Sequence, residues 1–383
     1  MILYGKQDIN QQDINAVVEV LNSNYLTQGP KVPEFEQGVM QHTHAHYAVA
    51  TNSATSALHI ACLALGVGEG DLVWTSPITF VASANCALYC KAEVDFVDVD
   101  ALSGNMCPVM LKHKLQQAKR LGRLPKVIIP VHLAGHSCDM KAIGALATEY
   151  GVAVIEDASH AIGGYYAEKP IGVCLYSSIT VFSFHPVKII TTAEGGVATT
   201  NDAGLAEKMA LYRSHGITKI PDKMQRPDEG PWYYEQHELG FNYRMTDMQA
   251  ALGLSQLSRL TQYVETRNKL AQCYSSALFG SSVVPVEPLS NSLSAYHLQI
   301  VRLPEPIHRR IIFEKMHADD IQVHVHYFPV HLQPYYMTLG FKVGDFPQAE
   351  AFYREIMTLP LHPGVSQAQV EAIVERLLLH VST

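Results

Sequence analysis

Apolar and polar positions alternate between two periods along the first two thirds of the chain. Short apolar runs at Tyr47–Ala50, Asp71–Thr75, Val94–Asp98, Lys126–Leu133 and Val152–Ile155 are separated by stretches with helical spacing. Among the latter are Ser56–Leu65, stopped by Gly66, and Phe80 to about Cys90. Runs this short, flanked by helical patterns, predict strands of a mostly parallel sheet buried on both faces, an α/β architecture. Ligands of such sheets collect at the carboxyl ends of the strands. Asp157, Ser183 and Lys188 fall at or just past such ends.

The pattern changes near residue 250. Thr246 and Gln249 have the spacing of a capping box, which predicts a long helix running, with a break, to about Leu278. Beyond it the pattern predicts a strand at Tyr296–Leu303, a helix at His308–Met316 and a strand at Ile321–Tyr327. Helices near Pro347–Met357 and Gln367–Leu379 close the chain. The expected organisation is a large α/β domain over 1–250 and a smaller α+β domain over 251–383, hinged by the long helix.

With 48% hydrophobic residues in 383, the chain can bury a large core. The net charge of −8 is dispersed, with no Lys/Arg cluster, so neither a nucleic acid nor an anionic membrane is an expected partner. No signal-peptide core follows Met1 and no apolar run would span a bilayer, which leads us to expect a cytoplasmic protein. Seven cysteines, odd in number and scattered, argue against a disulfide framework. His42, His44 and His46 alternate, as do His324 and His326, so each set could share a strand face. No nearby cysteine or carboxylate completes a zinc pattern, and no metal is expected.

The chemistry concentrates around Lys188. It follows the apolar strand that ends Val181-Phe182-Ser183 and precedes the small-residue run Thr191-Thr192-Ala193-Glu194-Gly195-Gly196. A lysine becomes nucleophilic when burial depresses its pKa. Asp157 ends the strand Val152–Ile155, where a carboxylate can keep a ring nitrogen protonated or simply cap a helix. The run Thr51-Asn52-Ser53-Ala54-Thr55-Ser56 joins a strand to a helix. Such a junction suits a dianionic phosphate, and equally an ordinary hydroxyl-capped helix. It lacks the lysine of a triphosphate loop. Phe80 reads either as a ring-stacking residue or as a core aromatic. A buried lysine with a carboxylate on the neighbouring strand is what a pyridoxal 5'-phosphate (PLP) enzyme requires.

Taken in order, these segments resemble the DegT/DnrJ family of sugar-nucleotide aminotransferases. The resemblance runs from Tyr25-Leu26-Thr27-Gln28-Gly29-Pro30 to His326-Tyr327-Phe328-Pro329-Val330-His331 and Leu359-Pro360-Leu361-His362-Pro363. Within the family it is strongest to the pseudaminic-acid branch, through Asn52-Ser53-Ala54-Thr55-Ser56-Ala57-Leu58, Arg213-Ser214-His215-Gly216 and Leu252-Gly253-Leu254-Ser255-Gln256-Leu257. Many relatives have glycine where this chain has Ala54.

The resemblance implies a fold-type-I, aspartate-aminotransferase-like architecture. It implies that Lys188 binds PLP covalently, that Asp157 pairs with the ring nitrogen and that His160 lies near the phenolic oxygen, a position where glutamine is common. It further implies that Phe80 stacks on the ring, that Ala54, Thr55 and Ser183 hold the phosphate, and that Asn242 reaches the phosphate of a partner subunit in a homodimer. Tyr4, Leu26, Thr27, Gln28, His324, Val325, His326 and Tyr327 are implied to line the sugar-nucleotide pocket, so the segment 1–30 contributes to it. The implied reaction moves an amino group from glutamate to C4 of a UDP-linked 4-keto-6-deoxy-N-acetylhexosamine, giving UDP-4-amino-4,6-dideoxy-N-acetyl-β-L-altrosamine. The alternatives are transfer to another ketosugar of the bacillosamine or 4-amino-4-deoxy-L-arabinose type, a PLP-dependent dehydratase, or a non-catalytic sugar-nucleotide-binding protein. Dehydratases of the family carry histidine where Lys188 stands.

Overall fold

The computed structural model describes residues 1–304 and 308–382. Its centre is a seven-stranded sheet of β1 (Tyr47–Thr51), β2 (Leu72–Thr75), β3 (Glu93–Phe96), β4 (Val127–Ile129), β5 (Ala153–Asp157), β6 (Ile179–Ser183) and β7 (Gly196–Thr200). The spatial order is β1-β7-β6-β5-β4-β2-β3. The pairings from β6 to β3 are all parallel, and β7 is antiparallel to both β6 and β1. Every residue of β4, β6 and β7 is buried, which is why these runs are apolar or threonine-rich without alternation. The sheet is thus the expected mostly parallel one. The run expected as one strand over Lys126–Leu133 is shorter, because Pro130 has no N–H to give the ladder.

Local chemistry sets the helix starts. Asn10 caps α1 (Gln11–Leu21) and forms a capping box with Asp13. Helix α2 (Lys31–Thr43) ends in a left-handed turn at His44, so His42 and His44 do not share a strand face with His46. Ser53 caps α3 (Ala54–Ala64), which begins two residues before the expected start. Helix α4 (Ala82–Tyr89) follows β2. The Thr246–Gln249 capping box opens α5 (Asp247–Leu257), and after a break at Ser258 and Arg259 the chain continues as α6 (Leu260–Leu278).

Helix α6 runs between two hydrophobic clusters. Leu260 and Val264 pack with Phe35, Phe182, Phe184 and Leu257 against the central sheet. Leu270, Tyr274 and Leu278 belong to a second cluster with Val301, Leu359 and Leu377. That cluster sits on a three-stranded antiparallel sheet of Val284–Pro285, Gln299–Arg302 and Ile356–Leu359. The expected domain boundary at 250/251 falls inside α5. Ile321–Tyr327, expected as a strand, makes only isolated bridges, Ile321 to Ile2 and His324 to Thr358. Its alternation is real, with Ile321 and Val323 buried, but the rest of the segment turns along a cavity instead of a neighbouring strand. Among the described residues, no helix is long and apolar enough to cross a membrane.

Candidate active site

A cleft of about 940 Å³ opens at the carboxyl ends of β1, β2, β5 and β6. Lys188 lies five residues past the end of β6, in a turn held by its own N–H donating to His185 O at 2.9 Å. The turn is pinned at its base, where Phe184 N–H donates to Gly195 O and Thr192 N–H donates to Phe184 O. Its amine faces the cleft and has no hydrogen-bond or ion-pair partner among the described residues. Burial pulls its pKa down to about 8, against the raising field of Asp157.

Asp157 ends β5 and is almost fully buried. Its Oδ2 accepts from Ser83 Oγ at 2.6 Å, and its Oδ1 accepts from the Ser159 N–H at 3.1 Å. Both bonds fix the carboxylate at the cleft.

The head of α3 forms the opposite end. Ser53 Oγ accepts from Ser56 N–H, which leaves the Ala54 and Thr55 N–H groups without an acceptor among the described residues. The Thr55 and Ser183 hydroxyls likewise meet no partner among the described residues, and all these residues line the cleft. The start of β7 runs directly beneath: a Cβ on Gly196 would sit 2.5 Å from Ala54 N. Free donors at a helix N-terminus, a buried carboxylate and a free amine in one cleft are the complement of a phosphate, a ring nitrogen and an aldehyde. The residues present therefore fit PLP. Phe80, 58% exposed in the chain, gives that cleft a flat apolar face.

The remaining wall is aromatic and imidazole-rich. His160 Nδ1 accepts from the Ala134 N–H, and its Nε2 lies 3.2 Å from Tyr327 Oη. The His160 ring packs 4.4 Å from that of His297 and is held far below its ordinary pKa by burial and by the Lys188 amine. His326 Nδ1 pairs with Thr358 Oγ1 at 3.0 Å, and its ring stacks on that of His324 at 4.5 Å. Tyr4 packs against both, at 5.3 and 5.4 Å.

The cleft thus gathers Tyr4, Ala54, Thr55, Phe80, Asp157, His160, Ser183, Lys188, His324, Val325, His326 and Tyr327. It does not gather Leu26, Thr27, Gln28 or Asn242. Those four are exposed; Thr27 bridges Thr246, and Asn242 O accepts from Asn52 Nδ2 at 3.4 Å. Sequence reading missed His297 and Ser83. His297 is buried beside the cleft with its Nδ1 unpartnered, a state that no sequence pattern signals.

Known proteins resemble this chain along nearly its full length. Residues 7–378 match the DegT/DnrJ/EryC1/StrS aminotransferase family. The UDP-4-amino-4,6-dideoxy-N-acetyl-β-L-altrosamine transaminase of Campylobacter jejuni (serotype O:2) is 34% identical over 98% of this chain and 96% of its own. The UDP-4-amino-4-deoxy-L-arabinose–oxoglutarate aminotransferase of Shewanella sediminis is 36% identical over 96% of this chain and 94% of its own. The structure of Helicobacter pylori PseC, an aminotransferase of pseudaminic acid biosynthesis, superposes with a TM-score of 0.91 at 31% identity, covering 100% of this chain and 99% of that one. The chain therefore belongs to the DegT/DnrJ/EryC1/StrS aminotransferase family, as a fold-type-I, PLP-dependent sugar-nucleotide aminotransferase.

Proposed function

We propose that this protein transfers an amino group from glutamate to C4 of a UDP-linked 4-keto-6-deoxy-N-acetylhexosamine, giving UDP-4-amino-4,6-dideoxy-N-acetyl-β-L-altrosamine for pseudaminic acid biosynthesis. One observation carries the amino transfer: the unpartnered Lys188 amine, with a pKa near 8, shares a cleft with Asp157 and the free donors of α3. The activities of the Campylobacter and Helicobacter relatives support the choice of sugar.

In this reading Lys188 binds PLP covalently. Once released, its amine takes a proton from Cα of the amino donor and returns one to the product side, acting as base and then acid. A pKa near 8 leaves both protonation states accessible close to neutrality. When bound, PLP supplies the electron sink for the pair left at Cα. Asp157 keeps the ring nitrogen protonated, and Ser83 and Ser159 hold that carboxylate in place. Ala54, Thr55 and Ser183 hold the phosphate, and Phe80 covers one ring face. Tyr4 and His324–Tyr327 line the sugar side. Asn242 and Leu26–Gln28, exposed and outside this chain's cleft, complete the site of a partner in a homodimer. A large and a small domain, meeting along α6, are part of the same proposal, supported by the two clusters that helix joins.

The Shewanella relative favours a second reading, in which the acceptor is a different nucleotide-linked ketosugar of the L-arabinose type. A panel of UDP- and dTDP-linked 4-ketosugars, incubated with the PLP-loaded protein and glutamate, separates the two. Formation of the altrosamine product, identified by the stereochemistry at C4, is the expected result. Turnover of the UDP-linked pentose in preference to it would move the assignment to the second reading, and preference for a dTDP sugar would overturn both.

A further inference from the structure

Three thiols meet where α3 packs on α4. Cys86 and Cys90 stand one turn apart along α4, Cys62 belongs to α3, and all three are buried in one apolar cluster. The Cys62 thiol hydrogen-bonds with both of the others. Backbone contacts fix the places of the other two. Cys86 Sγ donates to Ser83 O at 3.3 Å. Cys90 Sγ lies 4.0 Å from His59 O, one turn before Cys62 on α3. Among the described residues no group of three His, Cys, Asp or Glu side chains is arranged to hold a metal ion, so the trio is not a metal site. None of the three takes part in the proposed amino transfer.

The thiols are not equivalent. Cys62 and Cys86 are fully enclosed, whereas Cys90 closes the C-terminal end of α4 and keeps 6% of its surface. A thiol attacks as its thiolate. A hydrogen bond from Cys62, with His59 adding to it, outweighs burial and pulls the Cys90 pKa below that of an ordinary thiol. Cys62, bonded to Cys86 and Cys90, is pushed the other way and stays protonated. An acidic thiol with access to solvent, beside an enclosed protonated one, is the pairing of an attacking and a resolving cysteine.

We propose that Cys90 and Cys62 form a site of thiol oxidation, which hydrogen peroxide closes into a disulfide tying α4 to α3. The Cys90 sulfur attacks the O–O bond and becomes a sulfenic acid, and the departing hydroxide takes up the thiol proton as water. The Cys62 sulfur then attacks the sulfenic sulfur. The S–S bond forms, the S–O bond breaks, and the hydroxyl leaves with the Cys62 proton as a second water. The two thiols give up two electrons, and the peroxide is reduced to two molecules of water.

The bond would be felt in the cleft through the heads of the two helices. A disulfide holds its sulfurs about 2.05 Å apart, closer than hydrogen-bond contact, so α3 and α4 must shift to close it. The first turn of α3 presents the Ala54 and Thr55 N–H groups, and the first turn of α4 holds Ser83 against Asp157. Oxidation therefore weakens PLP binding, a consequence that rests on the PLP site described under the proposed function.

The test is peptide mapping of the PLP-loaded protein, without reductant, before and after hydrogen peroxide. Trypsin would leave the three cysteines on one peptide, since no Lys or Arg lies between Lys31 and Lys91; chymotrypsin, cutting after Leu63, Phe80 and Leu88, separates them. The expected result is a Cys62–Cys90 cross-link and the loss of two of the seven thiols, both reversed by dithiothreitol. PLP affinity should fall about tenfold in the oxidised form, the equivalent of one donor lost from the phosphate, and return on reduction. Survival of all seven thiols, or a bond from Cys62 to Cys86, overturns the proposal. A Cys62–Cys90 bond with unchanged PLP affinity overturns the link to the cleft. Mapping needs no PLP, so a protein that closes the bond yet never binds PLP overturns the cofactor site and leaves the thiol pair standing. Cys62→Ala should hold Cys90 as the sulfenic acid, captured by dimedone; capture at Cys86 instead overturns the choice of attacking thiol.

Discussion

The Ser83 hydroxyl, in the first turn of α4, donates to Asp157 Oδ2 at 2.6 Å, so two crossovers of the sheet meet at one carboxylate. An ionised carboxylate only accepts, so the Ser83 proton is committed to it. The Thr79 hydroxyl, 2.7 Å away, then donates to Ser83 in turn. Ser83→Ala removes one hydrogen bond to a charged group and should weaken PLP binding about tenfold with little loss of fold. Absorbance titration of the variant with PLP checks this; unchanged affinity would remove Ser83 from the support of Asp157.

Lys188 should make the PLP-free protein less stable at neutral pH than it is in alkali. Its pKa is near 8 folded and near its ordinary value of 10.5 unfolded. Between those values the unfolded chain binds more protons, so this contribution to stability rises with pH through that window. Below about pH 8 the cost is fully present. Lys188→Met should therefore stabilise the PLP-free protein at pH 7, by at most about 3 kcal/mol given the partial exposure of the side chain, with a smaller gain at pH 10. Urea unfolding of both proteins at the two pH values measures the difference.

Gly196→Ala should damage cofactor binding more than stability. The added Cβ would meet Ala54 N at 2.5 Å and Ser53 C at 2.7 Å, so the first turn of α3 must move. Overpacking of this kind costs about 1–3 kcal/mol. The displaced N–H groups are those assigned to the phosphate, so PLP affinity should fall at least about tenfold. Parallel thermal melts and PLP titrations would show whether the two losses separate.

The seat of α1 should be acid-sensitive. Asp13 is fully buried and accepts from Ser255, Gln256 and Arg259. Burial pushes its carboxyl up, but Arg259, the Asn10 N–H and Ser255 outweigh it and hold the pKa below its ordinary value. A lowered folded pKa gives stability that is present above about pH 4 and lost as pH falls through the folded value. Asp13→Asn should cost roughly 3 kcal/mol at neutral pH by leaving Arg259 without its carboxylate, and less as the pH is lowered through the folded pKa of Asp13. Denaturant unfolding of both proteins at neutral pH and at a series of acid pH values tests the sign.

What the sequence made legible was what is written locally. The Thr246–Gln249 box and the stop at Gly66 depend on a few adjacent residues, and both stand in the structure. Strand direction is not local: nothing in Gly196–Thr200 reveals that β7 returns antiparallel to β6, and the hydrogen bonds that close the turn between them appear only once both are in the sheet. The site divided the same way. Lys188, Asp157 and Thr55 stand at element ends that the pattern of apolar runs exposes. His297 sits within a run that reads as strand, and only its unmade hydrogen bond distinguishes it. Ile321–Tyr327 misled because a cavity wall can impose the same two-residue alternation as a sheet.

The pinned turn between β6 and β7 has a consequence for the proposed reaction, in which Lys188 would bind and release PLP in two halves. With Phe184 tied to both Gly195 and Thr192, the backbone beneath Lys188 would stay anchored before and after its amine lets go. The nitrogen travels on a tether of four methylenes from a stationary post. Whatever leaves after the first half and enters for the second, the same atom returns to the same spot without the chain having to find it again.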